Sequence, residues 1–520
     1  MRALLVNPAF VPTYWSYQYA LRFVGKRCVH PPLGLLTIAA LLPSHWRPRL
    51  VDLNVEPLED RALRAADVVM ITGMHCQRRS LHDVLERCRR LGVPTVVGGP
   101  YATTEPYLLD DADHLVLGEA EDTLAPFCTA LEAGRAPRMT RNADFPDLAR
   151  APIPRYDLLR RGAYYNMSIQ FSRGCPFSCE FCDIIVVYGR RPRTKSVAQV
   201  SAELDAIKTS GFRGSVFFVD DNFIGNRKAV RGILPEIQAW QNRNGSPFDF
   251  YTEASLDLAD DVPLMQAMTR AGFWSVFVGI ESPSAEALRE TRKTQNLGGS
   301  MVDRVHAIVE QGLDVWGGFI VGFDSDGPDI FDRHVEFVEQ AGIPDAMVGL
   351  LQAIPGTPLE ARLREAGRLR SVESVDQFGR TNFRTILPEP LLVEGYQRLL
   401  GSLYDPERYF GRVMALMRRR PALTVASAGL SAAKLTAGIR AVFTQGISSA
   451  YRREYWGFLR AVWRWDRSRL PEAVLRAASG HHFIEYTRRN AIPALDEPIA
   501  AASMQPPGRF ASSVLPTSSG

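Results

Sequence analysis

Short apolar runs alternate with helix-period segments over the first 137 residues of the chain. Residues 3–7, 49–52, 68–72, 95–98 and 115–117 are nearly continuous apolar stretches, the pattern of parallel strands buried on both faces. Residues 32–42 open behind a proline and residues 80–91 repeat apolar positions at helical spacing, so both predict helices. The alternation predicts a doubly wound, Rossmann-like α/β domain over residues 1–137, with its ligand beyond the carboxyl ends of the strands. Residues 138–165 read as a linker, punctuated by Pro146, Pro152 and Pro154. From 166 to 385 the alternation resumes, with candidate strands at 168–171, 215–219, 248–253, 275–280, 315–321 and 347–351 and helices such as 197–210 and 300–311. Six βα units predict a partial TIM-type barrel, whose functional face is at the C-terminal strand ends. Residues 386–494 carry helical signals and few strand signals. Residues 495–520 are rich in Ala, Ser and Pro and read as a disordered tail.

Composition narrows this picture. At 520 residues, with 46% hydrophobic and 23% charged positions, the chain has the makeup of a soluble multidomain protein. A net charge of +4 is too small to imply nucleic acid. It is also unevenly spread: residues 409–490 hold fifteen Lys and Arg against four Asp and Glu. The opening Met-Arg-Ala-Leu-Leu-Val-Asn-Pro reads as a first strand and not as a secretion signal. The apolar run 33–43 is shorter than the roughly 20 residues that span a bilayer. Of seven cysteines, Cys28, Cys76, Cys88 and Cys128 are scattered, which is no disulfide framework and fits a reducing cytoplasm.

The other three carry the chemistry. Cys175, Cys179 and Cys182 stand in Phe171-Ser-Arg-Gly-Cys-Pro-Phe-Ser-Cys-Glu-Phe-Cys-Asp183, a C-x3-C-x2-C spacing with Phe181 before the last cysteine. Three thiolates on one loop are one short of a closed zinc site and suit an iron–sulfur cluster with one iron left open. A zinc loop borrowing a distant ligand, or three structural cysteines, are the alternatives. The motif resembles that of radical S-adenosylmethionine enzymes. The resemblance implies a [4Fe–4S] cluster whose open iron binds S-adenosylmethionine and yields a 5′-deoxyadenosyl radical. Acids and glycines recur at the later strand ends: Asp220 and Asp221, Glu253, Glu281 with Ser282, and Gly317 to Gly322. With Phe181 these are the candidate S-adenosylmethionine contacts. Each carboxylate by itself is more often a helix cap or ion-pair partner; their recurrence after successive strands favours the ligand reading for the set.

In the first domain, Thr72, Gly73 and His75, then Gly98-Gly99-Pro100, then Gly118-Glu119 follow successive apolar runs. The layout resembles the cobalamin-binding domain that precedes the radical domain in one large class of these enzymes, and those residues are the candidate cobalamin contacts. No Asp-x-His-x-x-Gly motif is present: Asp113 directly precedes His114. The implication is cobalamin bound without a histidine ligand, with His75 as either a corrin neighbour or a satisfied loop residue.

Cys182-Asp-Ile, Tyr188-Gly-Arg-Arg-Pro-Arg193, residues 218–228 and residues 350–359 are similar to the hopanoid C-2 methylase group. That likeness implies a cobalamin-dependent radical methyltransferase, with methylcobalamin as methyl donor, a hydrophobic polycyclic lipid as substrate and an external flavodoxin- or ferredoxin-type electron donor. A non-methylating rearrangement or cyclisation on the same architecture, and a non-catalytic cobalamin or cluster sensor, are the competing readings. The basic helical region interleaves arginines with Trp456, Trp463 and Trp465. Such helices lie at an anionic membrane face or cap the barrel. No RNA-binding motif accompanies them, so nucleic acid is not an expected partner.

Overall fold

The computed structural model describes residues 1–160, 162–370, 380–422 and 432–496. The first sheet has six parallel strands: β1 Arg2–Asn7, β2 Arg47–Asp52, β3 Val68–Thr72, β4 Thr95–Gly98, β5 His114–Leu117 and β6 Met139–Arg141, in the order β2-β1-β3-β4-β5-β6. Reversal of strand order between β1 and β3 makes a switch point, the usual ligand crevice of such sheets. The helix Arg78–Leu91 shows why the elements form: Leu81, Val84, Leu85 and Cys88 make one buried stripe, and Gly92 in the left-handed conformation ends it. β6 lies beyond residue 137, inside the stretch read as linker, so the sheet continues past the predicted boundary. Its three residues, Met139, Thr140 and Arg141, are largely exposed and make no apolar run, which hides an edge strand from a search for such runs.

The second sheet is also all parallel. Its strands are β7 Met167–Ile169, β10 Gly214–Phe218, β11 Phe248–Ala254, β12 Phe273–Glu281, β13 Asp314–Val321 and β14 Ala346–Leu350, paired in sequence order with β7 and β14 as open edges. This is the predicted six-unit partial barrel. Its first strand is shorter than expected because Ser172 turns away: β8 Ser172–Arg173 pairs antiparallel with β9 Arg193–Thr194 and closes the cysteine loop. The helix Val197–Thr209 starts at a Ser196/Gln199 capping box.

The described residues of 386–494 are mainly helical, with helices Glu389–Leu403, Pro406–Arg419, Arg452–Trp465 and Leu470–Tyr486 among them. They cover the amino-terminal ends of β13 and β14. Arg420 and Arg476 pair with the buried Asp314 at 2.9 and 2.8 Å, and Tyr409 donates to Asp345 at 3.0 Å. The fully buried Arg412 donates to the Ile343 carbonyl. Part of the basic charge is therefore structural, as the capping reading expects. A segment from the amino terminus threads beneath: Tyr14 stacks on Tyr404 and Phe483 and bonds to Thr487 at 2.7 Å, and the helix Gln18–Val24 follows. Of the predicted tail, residues 497–520 lie outside the described residues.

Asp314→Ala would leave two buried guanidinium groups without their shared partner. The expected loss is about 3–5 kcal/mol of stability, read as a lower denaturant midpoint at unchanged slope.

Candidate active site

The cysteine loop is held from beneath by two acids at the end of β10. Asp220, fully buried, accepts from the Phe171 and Ser172 amides at 2.8 and 2.7 Å and from Ser172 Oγ at 2.6 Å. Asp221 accepts from the Gly174 amide at 3.1 Å. Gly174 has φ +96°, and a Cβ there would stand 2.9 Å from the Gly189 carbonyl, so only glycine fits. Burial pushes Asp220 up to about 6 and Asp221 up to about 7.

Three residues outside the motif reach the thiols. Asn222 Nδ2 is 3.9 Å from Cys175 Sγ, and Gln295 Nε2 is 3.7 Å from Cys179 Sγ. Lys293 is buried with its Nζ 2.7 Å from Glu281, close enough to the thiols to couple with them electrostatically. Burial raises the Cys175 and Cys182 thiols, so iron binding must displace their protons. Among the described residues no three His, Cys, Asp or Glu side chains converge on a single-ion site. The donor set of three loop thiols, with amide and ammonium donors around them, fits an iron–sulfur cluster.

The strand-end candidates separate. Phe181 packs against Phe323. Glu253 ends β11 with no side-chain partner among the described residues, and burial, with Asp221 and Asp220 nearby, pushes it up to about 8. Glu281 has φ +67° at a register slip between β12 and β13, and Ser282 Oγ accepts from the Ser284 amide. Gly322, at φ +105°, turns the end of β13 onto Asp326. Gly317 is a correction: a Cβ there would meet Phe319 and Ile343, on the helical side, whereas one on Gly318 would meet Phe277. The pleat alternates faces, so Gly318 and not Gly317 opens inward.

At the first sheet, Thr72, Gly73 and His75 follow β3, Gly98-Gly99-Pro100 follow β4 and Gly118-Glu119 follow β5. A Cβ on Gly99 would lie 2.2 Å from Thr72 Oγ1, and one on Gly118 would lie 2.2 Å from Asn142 Oδ1, both at positive φ. The turns therefore bring backbone close at the sheet edge. Along that edge Phe10, Val11, Met74 and Tyr107 are exposed, an apolar rim of the kind a large ring system covers. The tight turns and this rim fit a corrin. His75 lies within its own domain 3.0 Å from Thr104 Oγ1 and 3.2 Å from Glu105.

Glu119 has a role the sequence did not reveal. It pairs with Arg173 of the cysteine loop at 2.5 Å and with Arg193 at 2.6 Å, while Glu121 pairs with Arg173 at 2.8 Å. All four side chains are largely buried. The Gly-Glu turn thus docks one sheet edge onto the loop of the other. Arg173, Arg193 and Asn222 stand within segments 171–183, 188–193 and 218–228, yet nothing local assigns them these contacts, and no motif marks Lys293 or Gln295.

Two open α/β units, facing each other across a cysteine loop and a glycine-rich sheet edge, define a cobalamin-type radical S-adenosylmethionine enzyme. Comparisons agree: residues 27–127 match a B12 binding domain, residues 169–338 the radical SAM superfamily, and residues 357–492 a domain of unknown function. An uncharacterized methyltransferase of Synechocystis is 41% identical over 94% of this chain and 92% of its own. Hopanoid C-2 methylase of Rhodopseudomonas palustris is 34% identical over 94% of each. The solved radical S-adenosylmethionine methyltransferase TsrM of Kitasatospora setae, with cobalamin and a [4Fe–4S] cluster bound, shares the fold at TM-score 0.60 and 17% identity, covering 92% of this chain and 99% of that one. The chain belongs to the B12-binding radical S-adenosylmethionine methyltransferases that include the hopanoid C-2 methylase. Its cofactors are a [4Fe–4S] cluster, S-adenosylmethionine and cobalamin. The sensor and non-methylating readings give way to methyl transfer.

Glu253 generates a pH prediction. Its value rises from 4.5 to about 8 on folding, so the folded chain keeps a proton that the unfolded chain releases. That contribution to stability is complete below the unfolded value and is lost as pH rises through the folded one. Glu253→Gln should flatten this decline, read from denaturant midpoints of the cofactor-free chain at about pH 5 and about pH 9.

Proposed function

We propose that this protein methylates an unactivated carbon of a hydrophobic, polycyclic, hopanoid-like lipid. The observation that carries the reading is the docking of the Gly118-Glu119 turn onto Arg173 and Arg193, which turns the cobalamin edge of one sheet toward the cluster loop of the other. When bound, the three cofactors supply the electron, the hydrogen abstraction and the methyl group. The protein's part is to position and to exclude water. Asp220 and Asp221 fix the loop backbone, and the buried Lys293–Glu281 pair sets charge beside the thiols. Glu253, Glu281, Ser282 and Gly322 face the space for S-adenosylmethionine; Thr72, Gly73, Gly99, Pro100 and Gly118 face cobalamin. The lipid assignment draws its support from the hopanoid methylase, similar along almost the whole chain. A flavodoxin- or ferredoxin-type protein supplies the electron.

The test is anaerobic. The full chain, loaded with cluster and cobalamin, receives reductant, S-adenosylmethionine and a hopanoid-containing lipid extract. A lipid heavier by one methylene, formed with both S-adenosylhomocysteine and 5′-deoxyadenosine and absent for Cys175→Ala, supports the reading. Deoxyadenosine without a methylated lipid overturns the lipid assignment.

Peripheral membrane contact is part of the same proposal. Among the described residues no helix is long and apolar enough to cross a membrane. The helix Arg452–Trp465 buries Tyr455, Phe458, Leu459 and Val462 and exposes Arg452, Arg453, Trp456, Arg460, Trp463 and Arg464. Ile439, Phe443 and Ile447 are exposed on the preceding elements. Arginine among exposed aromatic and aliphatic groups suits an anionic bilayer face. Removing Arg453 and Arg460 together should weaken sedimentation with anionic vesicles by about 1 kcal/mol per arginine at low salt, with no change on neutral vesicles.

A further inference from the structure

The cysteine loop is covered on three sides. Glu119 and Glu121 of the first unit meet Arg173. Asp220 and Asp221 hold the loop backbone from the strand ends. The helix Pro358–Glu365 closes the third side: the Leu359 amide donates to the Glu180 carbonyl at 3.0 Å, and Arg362 pairs with the Glu180 carboxylate at 2.7 Å. Between Cys175 and Cys179 the loop is left uncovered, and Pro176, Phe177 and Ser178 are all part-exposed. An open pocket of about 440 Å³ lies there, with Pro176, Phe177, Arg191, Asn226, Arg227 and Ser255 in its lining.

The pocket wall reaches the thiols in short steps. Pro176 follows Cys175 in the chain. Asn222 Nδ2 donates to Ser255 Oγ at 3.1 Å and stands 3.9 Å from Cys175 Sγ. Cys175 is itself part-buried, whereas Cys179 is buried. The pocket therefore connects solvent to the first thiol without crossing the other α/β unit. An electron arriving from outside the chain has its approach on this side.

The rim carries positive charge that nothing in the fold uses. Arg191 and its neighbour Arg190 are exposed, as is Lys228 beside Arg227, and no carboxylate among the described residues pairs with any of the three. The acids of this face are already taken. Asp257 and Asp261 pair with Arg227 at 2.7 and 3.1 Å, and Asp260 pairs with Arg304. The 17-residue helix Arg227–Arg243 starts at the pocket, so the positive end of its dipole adds to the same field. A small apolar patch of proline and phenylalanine inside a charged rim has the makeup of a transient protein interface. Such an interface is steered by charge of the opposite sign on its partner.

We propose that this face docks the electron donor, an acidic one-electron carrier protein whose carboxylates meet Arg190, Arg191 and Lys228. One electron leaves the carrier's reduced centre and enters the oxidised cluster; no bond forms or breaks, and no proton moves at the interface. The inference rests on the proposed function for its electron donor but not for its lipid. The test uses the full chain loaded with cluster and cobalamin, with a flavodoxin as probe. Binding is read from the flavin fluorescence of oxidised flavodoxin. Cluster reduction is read from the loss of visible absorbance after mixing with flavodoxin hydroquinone. At low salt, Arg191→Glu combined with Lys228→Glu should weaken binding and slow reduction roughly tenfold each, and the deficit should shrink as salt rises. Arg191→Lys should keep the wild-type values. Photoreduced deazariboflavin, a small neutral reductant, should reduce wild-type and variant clusters alike, which separates a docking defect from a damaged cluster. If the double variant fails to take up a cluster, Arg190→Gln, at an exposed position, is read in the same way with a smaller loss expected. Arg453→Glu combined with Arg460→Glu, on the helix Arg452–Trp465, controls for general attraction and should change neither reading. An equal loss in that control, or wild-type binding and reduction in the Arg191 and Lys228 variant, overturns the docking surface. Failure of flavodoxin, and of an acidic ferredoxin in its place, to reduce a wild-type cluster that deazariboflavin reduces overturns the partner assignment. None of these outcomes depends on whether a lipid is methylated.

Discussion

A buried cluster of two carboxylates and two guanidinium groups fixes the geometry on which the site depends. Glu119 and Glu121 belong to the first α/β unit; Arg173 and Arg193 belong to the loop and hairpin of the second. Any other docking of the two units would leave these charges desolvated and unpaired, at several kcal/mol per ion. The cluster therefore acts less as a source of stability than as a restriction on arrangement. Arg173 lies two residues before the first loop cysteine, so the same contact that orients the sheet edge also orients the thiols. Asp220 and Asp221 bind the loop from the opposite side through its backbone amides. The loop is thus held by each of the units whose cofactors must meet there.

Burial gives the acids of this region two distinct roles. Asp220 has both oxygens engaged by the loop, while Glu253, with no such donors, is pushed up to about 8. A carboxyl group raised this far by burial suits a site from which water is excluded. Lys293 instead keeps its charge beside the thiols because Glu281 pairs with it.

The C-terminal helices serve this site from the far end of the barrel. Arg412, Arg420 and Arg469 are buried and Arg476 is part-buried; Arg420 and Arg476 sit on Asp314, and the group closes the amino-terminal ends of the strands. Tyr404 and Phe483 grip Tyr14, which places Trp15 against Phe277. The remaining arginines of this region project outward with Trp456 and Trp463. One stretch of basic sequence thus combines a structural cap with an exposed face, and charge counting by itself does not distinguish them.

The sequence alone determined the two α/β units and their order. Buried parallel strands are written as apolar runs, and a pattern read over a few neighbouring residues suffices to find them. It also determined the three thiols, because their spacing on one loop is local, and the tight turns at Gly99 and Gly118, because only glycine is tolerated there. It missed β6, whose exposed edge carries no apolar signal, and it assigned Gly317 to the face that belongs to Gly318, because neither residue has a side chain to mark its side of the pleat. Tertiary structure alone decided that Glu119 meets Arg173 and Arg193, that Lys293, Asn222 and Gln295 surround the thiols, and that Trp15 packs on Phe277. Those pairings join residues far apart in the chain. Only folding brings them together, since neither an ion pair across a domain boundary nor a ring contact between distant segments leaves any periodic trace in the chain.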